Sequence, residues 1–144
     1  MILSTNNESV TNERIILRRS DLVYPELSYK IIGSAFDVYN HLGSGHYERY
    51  YQKALAETFS SNGLYFKQQV YYPIKYHNKI MAKNFIDFVI DDKIVVEIKK
   101  GNRFSKSHID QVLEYLKVSN LKLAILVNFG SAGVIFKRVV NFNS

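Results

Sequence analysis

The chain has 144 residues, 47% of them hydrophobic and 22% charged, the balance of a globular fold. It contains no cysteine, which excludes disulfides, thiolate metal sites and cysteine nucleophiles together and suits a reducing, cytoplasmic setting. Nineteen Lys and Arg against thirteen Asp and Glu leave a formal charge of +6, a field that favours a polyanionic partner, nucleic acid foremost.

Met1 to Asn12 is polar and mixed in charge, unlike a signal peptide, and no apolar run is long enough to cross a bilayer, so no membrane partner is expected. Residues 1–24 read as a partly flexible lead-in and residues 25–144 as one domain. A first helix is expected from about Pro25 to His41, with Leu27, Ile31, Ile32, Ala35, Val38 and Leu42 at helical spacing and Gly43-Ser44-Gly45 as its stop. A second helix follows from about Tyr47 to Ser61, with Ala54, Leu55, Thr58 and Phe59 inward. Leu64 to Tyr76 reads as a strand with a break at Pro73, and Met81–Ile90 and Ile94–Lys100 as two more. Ser105 caps a helix to Ser119, with Ile109, Val112, Leu113 and Leu116 inward. Strands Leu121–Asn128 and Val134–Val140 complete an α/β order of α-α-β-β-β-α-β-β.

The chemistry concentrates around Asp87, Glu97 and Lys99. Glu97 and Lys99 stand two apart on an expected strand, so both side chains leave one face. A two-residue turn at Asp91-Asp92 would set Ile86 opposite Glu97. A three-residue connection pairs Ile90 with Ile94, Phe88 with Val96 and Ile86 with Ile98, making one face apolar and setting Asp87 opposite Glu97. A slip of one residue would mix buried and charged positions, so the pattern selects the three-residue form. Two facing carboxylates repel, and a hard divalent cation such as Mg²⁺ or Mn²⁺ reverses the sign of that interaction. Lys99 then stands beside the attacking water or the phosphate. The plain alternative is a solvated sheet face, against which stand Phe85, Val89 and Val95 around the charges.

Asp87…Glu97-Ile98-Lys99 on a β-hairpin followed by a helix resembles the PD-(D/E)XK nuclease superfamily. Gly45-His46-Tyr47-Glu48-Arg49-Tyr50-Tyr51 reads G-x-x-E-x-x-Y, the signature of the GxxExxY proteins, a prokaryotic branch of it. The likeness continues through Gln69, His108-x-x-Gln111, Tyr115-Leu116 and Leu126-Val127-Asn128-Phe129-Gly130, from about Leu27 to Val140. It departs at Ile86, which stands in place of proline, at Gly43-Ser44-Gly45 for Gly-Pro-Gly, and at His46-Tyr47 for two aliphatic residues.

That resemblance implies a restriction-endonuclease-like core, a mixed central sheet flanked by helices. It also implies a metal-dependent nuclease in which Asp87, Glu97, Glu48 and the main-chain carbonyl of Ile98 bind Mg²⁺ or Mn²⁺. Lys99 would be the catalytic lysine, and Gln111 and Tyr115 would fit a Gln-x-x-x-Tyr motif of the site. Read from the residues alone, His108, Gln111 and Tyr115 form a stripe flanking a core stripe, and Glu48 is also a favourable acid for a helix start. Lys100, Arg103 and Lys106 form a phosphate-tracking edge or a solvated loop. The expected partner is nucleic acid, DNA ahead of RNA. The competing accounts are an inactive nucleic-acid-binding module with the same fold, and a protein-interaction subunit that could pair as a homodimer.

Overall fold

The computed structural model describes residues 23–141. Pro25, whose fixed φ and missing N–H suit a first turn, opens α1 (Pro25–Leu42). That helix stops where the Gly43 N–H, at φ +74°, bonds the Tyr39 carbonyl at 2.8 Å. There follow α2 (Glu48–Ser61), β1 (Phe66–Tyr76), β2 (Lys79–Ile90), β3 (Ile94–Lys100), α3 (Lys106–Ser119), β4 (Leu123–Phe129) and β5 (Val134–Val140), in the expected order. Of the expected lead-in, residues 1–22 lie outside the described residues. Val23 and Tyr24 pack against the core, and the Val23 carbonyl accepts a hydrogen bond from Arg138 Nη2 at 3.1 Å.

The five strands lie in the order β1-β2-β3-β4-β5, with β3 and β4 parallel and the other neighbours antiparallel. Parallel neighbours need a crossover, and α3 supplies it. Helices cover both faces of the sheet. On one, Ile31, Ala35, Val38, Tyr51, Leu55 and Phe59 of α1 and α2 meet Phe88, Ile94, Val96, Ile98 and Val127. On the other, Val112 and Leu116 of α3 meet Val89, Val95, Ala124 and Leu126. No helix among the described residues is long and apolar enough to cross a membrane.

Four details differ from the expectations. β1 runs unbroken through Pro73, because β1 is an edge strand and a missing N–H there leaves no partner unsatisfied. The β1–β2 hairpin is longer than expected: His77 and Asn78, at φ 49° and 64°, form a two-residue turn, so β2 begins at Lys79 rather than Met81. Ile86 does not join the face of Phe88 and Ile90 but packs with Tyr72, Val89 and Val95. The hairpin turns over between these positions, where Gln69 takes φ 50° and the Gln69–Asp87 rung is missing; a second irregularity shifts the register between Ile74 and Lys75. Leu113 is 41% exposed, while His108, Val112 and Leu116 are the buried residues of α3. α3 is therefore rolled toward the stripe that carries His108.

Candidate active site

The turn between β2 and β3 is the three-residue form. The Lys93 N–H bonds the Ile90 carbonyl at 2.9 Å, and the pairs are Ile90 with Ile94, Val89 with Val95 and Phe88 with Val96. Backbone pairing between these strands then stops. At the next step two carboxylates take over: the Asp87 N–H donates to Glu97 Oε1 at 2.6 Å, and the Ile98 N–H donates to Asp87 Oδ2 at 2.9 Å. Each acid thus satisfies an amide of the opposite strand, and the two side chains lie within mutual reach.

Glu97 is buried, 6% exposed, on the α3 side of the sheet. His108 Nε2 lies 3.4 Å from Glu97 Oε2, and the Gln69 amide donates to Asp87 Oδ1 at 3.4 Å. The Asp87 carboxyl is pushed up to about 7, first by burial and then by the charge of Glu97 beside it, while the Ile98 N–H and Gln69 pull the other way. Lys99 follows Glu97 by two residues on β3, so its side chain leaves the same face, and it is exposed to solvent. Val89 and Val95, expected beside these charges, lie buried beneath α3, and Phe85 is exposed.

Glu48 reaches the same strand from the other layer. Tyr51 is wholly buried, stacks on Phe129 with ring centroids 4.3 Å apart, and donates to the Gly43 carbonyl at 2.5 Å. It also accepts from the His46 N–H at 3.4 Å. Gly45, at φ +89°, lets the chain turn sharply between those two bonds. The loop so held starts α2 at Glu48, whose Oε2 accepts the Lys100 N–H at 3.1 Å. In an extended strand the N–H and C=O of one residue share an edge. The Ile98 carbonyl therefore lies on β3 between the amide held by Asp87 and the amide held by Glu48.

Comparison with protein families matches the PD-(D/E)XK nuclease superfamily over residues 25–139. The chain belongs to that superfamily. No curated protein matches it. Among solved structures it is similar to the crystal structure of SSO0001, at 20% identity and a TM-score of 0.49, over 85% of this chain. The match spans 61% of that structure's chain.

The superfamily assignment bears on what the acids could hold. A buried and a half-buried carboxylate forced together, with a main-chain carbonyl on the adjoining edge, are hard oxygen donors whose mutual repulsion a cation would relieve, and they fit a small divalent cation. Among the described residues no three His, Cys, Asp or Glu side chains are gathered as a metal cluster. Glu48 instead accepts the Lys100 N–H, two residues beyond Ile98 on β3.

Other expected residues stand further off. Gln111 is half-buried on α3, one turn from His108, and Tyr115 packs edge-to-face on Tyr72 at 5.1 Å. Neither bonds the acid pair among the described residues. Lys106 pairs with Asp110 at 2.8 Å within α3. The Arg103 carbonyl accepts from buried Asn128 at 2.6 Å, and Lys100 and Arg103 are exposed. Of the stripe His108, Gln111 and Tyr115, His108 is the one that touches an acid. Its spacing of four and eight residues from Val112 and Leu116 was the available signal.

Proposed function

We propose that the protein is a divalent-cation-dependent nuclease of the GxxExxY branch, hydrolysing phosphodiester bonds in nucleic acid, DNA ahead of RNA. The observation that carries this reading is the Asp87–Glu97 pair, two acids pressed together at the point where β2 and β3 cease to pair. Asp87, Glu97, the Ile98 carbonyl and, after release from the Lys100 amide, Glu48 would hold Mg²⁺ or Mn²⁺. Such a cation supplies Lewis acidity, acidifying water and offsetting charge that builds on the phosphate.

The chain's own groups do the rest. His108 and Gln69 orient the two acids by hydrogen bonds. Lys99 presents an exposed ammonium on the face of Glu97, where it neutralises the negative charge of the reacting phosphate. Gln111 and Tyr115 flank the site from α3, and Lys100, Arg103 and Lys106 follow the phosphates of the bound strand. A second reading, a binding module that cuts nothing, is favoured by one fact: each of the three acids already has an amide partner.

The deciding experiment incubates the protein with linear and circular, single- and double-stranded DNA and RNA in Mg²⁺, Mn²⁺ or EDTA. Cleavage is expected with either metal, absent in EDTA, and lost in Lys99→Ala and in Glu97→Gln with the native fold retained by circular dichroism. Undiminished cutting by a pure double variant would sink the assignment. Binding without turnover in any metal would establish the second reading.

A further inference from the structure

Next to Glu48, the first turn of α2 carries a group of side chains that the acid site does not use. Tyr47 is 60% and Tyr50 44% exposed, and their rings lie edge-on with centroids 5.7 Å apart. The Arg49 guanidinium carbon stands 4.6 Å from the Tyr47 centroid and 4.9 Å from that of Tyr50. Lys100 Nζ approaches the Tyr47 ring at 6.0 Å. The guanidinium lies against both rings, an attraction of cation and aromatic face, while much of each ring stays exposed. Lys100 is also the residue whose amide Glu48 binds, so the aromatic group and the acids adjoin through one residue of β3.

We propose that Tyr47, Arg49, Tyr50 and Lys100 form a stacking subsite for unpaired bases of a single-stranded polynucleotide, bordering the acid centre. The class of ligand rests on the nuclease reading above. Exposed tyrosine rings grouped in this way accept any base by its face, since every base has one. Arg49 and Lys100 set positive charge around the rings, where the phosphates of a stacked strand run. In a duplex those base faces are covered by neighbouring pairs, so only a single strand or a frayed end can use the rings. The subsite thereby selects unpaired strand for presentation to Asp87 and Glu97.

The test is fluorescence anisotropy in EDTA with labelled oligothymidylate, oligouridylate and a duplex of equal length. Wild-type protein should bind one or both single strands more tightly than the duplex. Tyr47→Ala with Tyr50→Ala should weaken single-strand binding about tenfold or more, leaving duplex binding and the melting temperature unchanged. Tyr47→Phe with Tyr50→Phe should retain the affinity, because the ring and not the hydroxyl carries the contact. Arg49→Ala should lower the slope of log affinity against log salt by about one. Single-strand binding indifferent to removal of both rings would overturn the proposal, as would preference for the duplex or no binding to any of the three. Cleavage plays no part here. A protein that binds in this ring-dependent way but never cuts removes the nuclease reading and leaves the subsite, and a nuclease without ring dependence does the reverse.

Discussion

Asp87 is the most perturbed acid near the site, and its environment makes a pH prediction with a definite sign. Its folded-state value of about 7 lies above the ordinary 3.8, because burial and the neighbouring Glu97 disfavour its charge. Between about pH 4 and pH 7 the native protein therefore holds a proton that the unfolded chain has lost. Stability falls as pH rises through that window and levels off above it. Asp87→Asn keeps an oxygen for the Ile98 amide and offers Glu97 a donor. In EDTA it should raise the melting temperature by several degrees at pH 8 and change it little at pH 4, read by calorimetry. An equal effect at both would mean that Asp87 is not under strain. His108 gives a second test. Its contact with Glu97 orients the acid, so His108→Ala should weaken Mn²⁺ binding by about 10- to 100-fold in calorimetric titration. Unchanged affinity would reduce His108 to a core residue. The spacing of His108 from Val112 and Leu116 hinted at burial, but its partner was hidden in the sequence because a polar residue on a mixed helix flank has none assigned until the helix roll is known.

At the scale of elements, the hairpin register was legible before any coordinates, and for a physical reason. The apolar run Phe88, Ile90, Ile94 and Val96 allows only one alignment that buries all four. The reversal of facing at Gln69 and Asp87 was not legible, because a left-handed φ at a glutamine leaves no compositional trace. The same holds for the roll of α3, whose hydrophobic pattern tolerated either Leu113 or His108 on the inside. The segment Leu126-Val127-Asn128-Phe129-Gly130 was recognised only by likeness, and its role is now structural. Asn128 braces the loop after β3, and Phe129 receives the ring of Tyr51. Gly130 leaves room for Asn102: a Cβ there would fall 2.5 Å from Asn102 Oδ1 and 3.1 Å from the Gly133 carbonyl. Asn102 in turn holds the Ser131 N–H at 2.9 Å. Gly130→Ala should therefore destabilise by about 1–3 kcal/mol, seen as a lower denaturation midpoint, since Asn102 must leave its partners. A neutral substitution would show that this loop pairing is slack.

For the whole molecule, the order of elements follows from periodicity, whereas the mixed sheet flanked by helices and the approach of Glu48 to β3 were implied only by the family resemblance, because they depend on packing between distant segments. β3 contributes to both cores, with Ile94, Val96 and Ile98 on one side and Val95 on the other. Loosening either helical layer should therefore unfold both. Leu55→Ala beneath α2 and Leu116→Ala beneath α3 should each cost about 2–5 kcal/mol and retain one coincident transition by circular dichroism and tyrosine fluorescence. Separate transitions would mean that the layers are independent. The arrest of pairing beyond Val96 has a last consequence. Glu97, Asp87 and Glu48 each tie down one peptide hydrogen, on Asp87, Ile98 and Lys100 in turn. Whatever draws one of these acids outward must strip an acceptor from its amide. Three resonances in a nitrogen–proton spectrum are thus wired to the three acids, a native gauge of occupancy that needs no attached reporter group.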